Sequence, residues 1–100
     1  MRDRADVVVV GGGAAGCAVA YYLSRAGVAS TVIERDGVAS QASGFAAGGL
    51  NPLEGAGIPG PLAPLAIESF RMHRAMWDEL RHETGVDFQP GTVSTVRLAF

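Results

Sequence analysis

Four β-branched residues in a row, Val7-Val8-Val9-Val10, follow a polar start of Arg2, Asp3, Arg4 and Asp6 and end on three glycines. An apolar run without alternation predicts a strand covered on both faces, as in a parallel sheet. Behind the glycines, Ala14 to Arg25 is small and apolar, with Ala15, Val19, Tyr22 and Leu23 along it. It stops at Gly27, a residue able to take the left-handed conformation that closes a helix. Ser30-Thr31-Val32-Ile33 is a second β-branched run. The crossover between the two runs is long enough for one helix, so Asp6 to Glu34 predicts a βαβ unit with a right-handed connection.

From Arg35 to Gly60 the chain is rich in glycine and holds no sustained period, which predicts a long loop. Loops of that length in compact domains are usually functional or disordered. A helical stripe then begins: Pro61 and Pro64 stand near its start, Ala66, Phe70, His73, Trp77 and Leu80 share one face, and Gly85 lies past its end. The helix is predicted over Leu62 to Glu83. Thr92 to Phe100, rich in Val, Thr and Leu, predicts a strand.

Composition sharpens this outline. A chain of 100 residues makes at most one small domain and buries only about two-thirds of the surface its unfolded form exposes. At 48% hydrophobic and 18% charged residues, it is apolar for so small a body, which implies surfaces meant for further polypeptide. The net charge of −2 with scattered basic residues offers no patch for nucleic acid or an anionic membrane. Cys17 is the single cysteine, so no internal disulfide framework or Cys/His metal site is expected, and a cytoplasmic location fits best. The uncharged stretch from Val7 to Leu23 imitates a secretory signal, but Asp3 and Asp6 spoil the basic start and the glycines break the required helix. It is also short for a membrane span of about 20 residues.

The glycines carry the chemistry. Gly11-Gly12-Gly13-Ala14-Ala15-Gly16 fits G-x-G-x-x-G. In that pattern Gly11 makes the tight turn, Gly13 lets a pyrophosphate approach the backbone, and Gly16 allows close helix–strand packing. Ala14 and Ala15 place free N–H groups at a helix N-terminus, an anion site that needs no lysine. Alone, such glycines could be a helix-packing motif. Here a strand precedes them, a helix follows, and Glu34 closes the second strand about 20 residues on, where a carboxylate reaches ribose hydroxyls. A carboxylate there also disfavours the 2′-phosphate of NADP.

With those residues in view, the stretch from Val7 to Gly16, Ala26-Gly27 and Val32-Ile33-Glu34-Arg35 resemble the FAD-binding motif of flavoprotein oxidoreductases. Ala42-Ser43-Gly44-Phe45-Ala46-Ala47-Gly48-Gly49-Leu50 is similar to the second signature of the D-amino-acid oxidase family. The resemblance implies an α/β fold, namely the N-terminal part of a three-layer Rossmann-like FAD/NAD(P)-binding domain whose parallel sheet is incomplete in residues 1–100. The βαβ unit would span 6–34 and a flavin-contacting loop 35–60, while 61–100 would lead toward a substrate domain. It implies FAD as cofactor. Ala14 and Ala15 would lie on the pyrophosphate, Glu34 on the adenosine ribose and Arg35 on the adenine side. Ala42 and Ser43 would follow the phosphate-ribityl part, with Ala47, Gly48 and Gly49 near the flavin ring. Small residues suit a backbone passing close to a planar ring. Members of this family take a hydride from the carbon beside an amine. A small amine or amino-acid substrate is therefore implied, although no catalytic residue is identified in the chain.

The remaining residues read as structural. Cys17 suits inert packing, Phe70 and Trp77 suit a core, and His73 on the apolar stripe suits packing better than proton transfer. His82 falls near a helix C-terminus, where the dipole favours an imidazolium. Arg71, Arg74 and Arg81 with Glu68, Asp78 and Glu79 form a solvated face. Two rival functions share the βαβ unit: an NAD-binding dehydrogenase domain and a non-catalytic nucleotide-binding module. Arg35 and the loop from Ala42 to Leu50 favour FAD over the first, and turnover of an amine by a longer chain would dismiss the second.

Overall fold

The computed structural model of the chain describes residues 4–51, 60–94, 96 and 98. Its elements run β1 (Val7–Val10), α1 (Ala14–Arg25), β2 (Ser30–Ile33), α2 (Ala42–Phe45) and α3 (Ala63–Thr84). They divide into two compact units, Met1–Gly48 and Gly49–Phe100.

The first unit is the expected βαβ. β1 and β2 pair in parallel with Val7 opposite Ser30 and Val10 opposite Ile33, and α1 packs against both strands. The helix turns back where the sequence predicts: Gly27 has φ 75°, and the Ala26, Gly27 and Val28 amides donate to the Tyr22, Ser24 and Leu23 carbonyls. The expected burial of β1 on both faces is not found among the described residues. Val7 and Val9 are half-buried while Val8 and Val10 are exposed, Val10 at 84%. The reason is geometric: successive side chains point to opposite faces, and α1 covers one of them. The covered face of α1 also differs from the apolar residues that stand out in the sequence. Gly16, Cys17 and Leu23 are half-buried, whereas Ala15, Val19 and Tyr22 are exposed. Contact with a sheet selects the smallest side chains, because they bring the backbones closest.

The loop after β2 is not featureless, since α2 forms one short turn within it at Ala42–Phe45. Four residues are too few to leave a period in the sequence.

The second unit is built on α3, whose half-buried residues Ala63, Ala66, Phe70, His73, Met76, Trp77 and Leu80 reproduce the predicted stripe. Pro64 sits in its first turn, where no amide partner is lost. Its end is fixed from several directions. Gly85 takes φ 66° and donates to the Arg81 carbonyl, Thr84 Oγ1 bonds the Leu80 carbonyl at 2.7 Å, and the Arg81 guanidinium lies 5.5 Å from the Phe88 ring centroid. Gly85→Ala is expected to lower the unfolding free energy by about 1 kcal/mol, because a Cβ is strained in the left-handed conformation. Urea denaturation measures it, and an unchanged midpoint would show that the helix end can relax.

The expected strand over Thr92 to Phe100 is not found among the described residues. Positions 92–94, 96 and 98 carry no strand pairing, and the others lie outside the described residues. A β-branched run becomes a strand only when another strand takes up its amides, and the sequence of the run does not supply that neighbour. Among the described residues, no helix is long and apolar enough to cross a membrane.

Candidate functional site

Register alone brings the Gly-rich turn and Glu34 together. Val10 and Ile33 are partners across the sheet, so the residues that follow them, Gly11 and Glu34, emerge side by side at the C-terminal ends of the strands. Ligands of open α/β sheets bind beyond such ends. The Gly11 amide donates to the Ile33 carbonyl at 2.8 Å. Gly11 then turns with φ 103°, a value that disfavours any side chain. After the turn, α1 starts at Ala14 with Gly13 as its N-cap, and no acidic side chain stands in its first turn. That helix end keeps its positive character for an anion.

Glu34 is held by the backbone. Its Oε2 accepts the Gly12 amide at 2.6 Å and its Oε1 accepts the Asp36 amide at 2.9 Å. These bonds, led by that from Asp36 and followed by that from Gly12, hold its carboxyl below the ordinary 4.5, with the adjacent Arg35 adding to the effect. The Arg35 amide is a further backbone donor to the same carboxylate, so about one of its roughly four acceptor positions is left for another donor. Gly12 is the one residue classed as fully buried among those described. Its carbonyl accepts the Ala39 amide at 2.9 Å and lies 3.5 Å from Cys17 Sγ. Ala39 adopts φ 55°, an uncommon conformation for a residue with a side chain, in the turn that makes this bond.

The loop reaches the helix end as well. Ser43, on α2, accepts the Ala14 amide through Oγ at 2.9 Å. Ala14, Gly13, Ala42 and Ser43 are thereby neighbours, although they are far apart in sequence. Ala47 and Gly48 follow α2 as exposed chain without helix or strand, Gly48 at φ 76°, and Gly49 opens the second unit. Arg35 does not stand alone: its Nε and Nη2 both bond Asp36 Oδ2 at 3.2 Å, and Gln41 Nε2 donates to the same oxygen at 3.3 Å.

Sequence reasoning named Gly11, Gly13, Ala14, Ala15, Gly16, Glu34, Arg35, Ala42, Ser43, Ala47 and Gly48, which lie on the first unit, and Gly49, which belongs to the second. It passed over Gly12, Asp36, Ala39 and Gln41. Gly12 occupies a variable position of the pattern, and nothing in the local sequence tells that the carboxylate of Glu34 will sit on its amide. Asp36 had a visible signal, an acid two residues past Glu34 with a basic residue between them.

The residues present fit a dinucleotide. A side-chain-free turn, a helix N-terminus and a carboxylate with spare acceptor capacity meet at one end of a parallel sheet; of the two amides expected to be free there, that of Ala14 is already taken by Ser43 Oγ. Among the described residues, no group of His, Cys, Asp and Glu could hold a metal ion. A separate cavity of about 240 Å³ lies at the opposite, N-terminal ends of the strands, lined by Arg4, Ser24, Ser30 and Thr31. It shares no residue with this site.

Comparison with known proteins agrees with the geometry. The chain is 33% identical over 100 residues to a glycine oxidase of Bacillus licheniformis, covering all of this chain and 27% of that enzyme. It is 34% identical over 99 residues to a glycine oxidase of Geobacillus kaustophilus (strain HTA426), covering 99% of this chain and 26% of that enzyme. Over 92 residues it is 29% identical to the mitochondrial dimethylglycine dehydrogenase of Mus musculus, which covers 92% of this chain and 10% of the dehydrogenase. The chain thus spans about a quarter of the length of the glycine oxidases it matches. No solved structure gives a significant match. Residues 6–99 match the family profile described as DAO, FAD dependent oxidoreductase, and the chain belongs to that family, whose cofactor is FAD.

Proposed function

We propose that this chain is the start of the FAD-binding domain of an enzyme that oxidises a small amine or amino acid by hydride transfer. The observation that carries the proposal is the placement of Glu34. A carboxylate held by backbone amides, with acceptor capacity to spare, stands beside the Gly-rich turn on the adjacent strand end, which suits a ribose hydroxyl. Ala14 and Ala15 would take the diphosphate, Arg35 the adenine side, and Ala42 and Ser43 the phosphate-ribityl part. Ala47, Gly48 and Gly49 would lie near the flavin ring. Glycine oxidase and dimethylglycine dehydrogenase are named for small amines, which supports that substrate class.

When bound, the cofactor supplies the hydride acceptor. These residues bind and orient it. The Gly-rich turn and helix end neutralise the diphosphate, and Glu34 fixes the nucleoside end, so that the far end is presented to residues elsewhere in the enzyme. The full three-layer sheet, the substrate-binding residues and the helix and strand leading to a substrate domain at 61–100 belong to the same proposal, as does a cytoplasmic location.

The test is an absorption spectrum of the purified full-length protein. Flavin bands at roughly 370 and 450 nm that survive gel filtration, with turnover of glycine, N-methyl glycines or D-amino acids, are the expected result. A colourless protein that acquires no flavin on incubation with FAD would overturn the proposal.

A further inference from the structure

Resting on the nucleotide site proposed above, we infer that Asp36 is a specificity-determining residue that keeps Arg35 from serving 2′-phosphorylated nucleotides. Arg35 directly follows the carboxylate assigned to the ribose, and its guanidinium side chain is 86% exposed. A guanidinium at that place is the group that would hold a 2′-phosphate, since its forked donors match phosphate oxygens. Glu34 alone repels such a group, but one negative charge beside one free positive charge leaves little net discrimination.

Asp36 removes that ambiguity. Its Oδ2 takes both Nε and Nη2 of Arg35 at 3.2 Å, which occupies one edge of the fork and cancels its charge. The carboxylate also accepts Gln41 Nε2 at Oδ2 at 3.3 Å, while the backbone amide of Asp36 is tied to Glu34 Oε1 at 2.9 Å. Glu34, Arg35 and Asp36 together carry a net charge of −1 instead of 0, and the single cation is already paired. The face of the guanidinium stays open for a base, so the pair costs the adenine side nothing.

The experiment measures competition with FAD for the flavin-free, full-length protein, at low ionic strength, by ADP and by ADP carrying a 2′-phosphate. In the native protein ADP competes and its 2′-phosphorylated counterpart is much weaker. Asp36→Asn keeps an acceptor in place but removes the charge, so it is expected to narrow the preference for ADP by about two- to fivefold, the range set by an exposed ion pair. Added salt should erase the difference. In an Arg35→Ala background the same Asp36→Asn change should narrow it clearly less, since only the direct repulsion by Asp36 is then lost. An unchanged preference in Asp36→Asn, or an equal shift with and without Arg35, would overturn the inference while ADP binding persists. Failure of ADP itself to compete would instead overturn the nucleotide site, and the inference with it.

Discussion

Gly16→Ala is expected to destabilise the protein by about 3 kcal/mol and to abolish retention of flavin through gel filtration. A Cβ at position 16 would overlap the carbonyl oxygen of Gly11 and press on Val9 Cγ1 at 3.4 Å. The obstructing atom belongs to the backbone and cannot swing aside. Gly11 is also fixed on its other side, because its amide donates to Ile33 and its φ of 103° leaves few alternatives. Relief therefore requires α1 to move off β1, which carries the Ala14 amide and its Ser43 partner away from the turn. Gly13→Ala makes an instructive contrast: its Cβ would meet Ser43 Oγ at 2.9 Å, the end of a side chain that can rotate. A much smaller loss of stability is expected there. Thermal melts and flavin content of the two variants check the pair, and equal effects would mean that the close approach of α1 to the turn is not what Gly16 provides.

This contrast shows which parts of the fold the sequence made legible. β1 and β2 were readable as β-branched runs, and α1 and α3 as apolar segments with a local stop at Gly27 or Gly85. Gly11 and Gly16 were readable because a pattern of fixed spacing encodes their mechanical jobs. The face of α1 that meets the sheet was not. Apolar residues such as Val19 and Tyr22 mark a helix as partly buried, but the sheet takes the side with Gly16 and Cys17, a choice made by packing distance. Residues 92–94, 96 and 98 show the complementary limit, since strand propensity does not name a partner strand. In the site, Glu34 was legible from its distance to the glycines. Its bond to Gly12 was not, because that bond follows from the pairing of Val10 with Ile33, a tertiary fact. Ala39 was hidden for a similar reason, as its φ of 55° is imposed by the bond to Gly12 and favoured by nothing in the residue itself.

Glu34→Ala is expected to weaken FAD binding about ten- to a hundredfold, the loss of charge-assisted hydrogen bonds to a ribose together with the loss of an acceptor for the Gly12 amide. The second part makes the residue a strut of the turn as well as a contact, and pH separates the two roles. The Asp36 and Gly12 amides, with Arg35 nearby, hold the folded-state carboxyl below its ordinary 4.5, so the native protein binds fewer protons here than the unfolded chain does. The stabilisation is therefore fully present above about 4.5 and is lost as the pH falls through the lowered folded-state value. Glu34→Gln keeps the shape and one acceptor oxygen but cannot titrate, and its amide nitrogen must face one of the two backbone donors. This variant should be less stable than the native protein at neutral pH. The gap should close as the pH falls from about 4.5 through the lowered folded-state value, below which the native carboxyl is protonated too. Denaturant midpoints of the flavin-free protein across that range measure it without any cofactor. A gap that stays constant with pH would mean that the carboxylate does not brace the turn, and that whatever affinity Glu34→Ala loses comes from contact with the nucleotide alone.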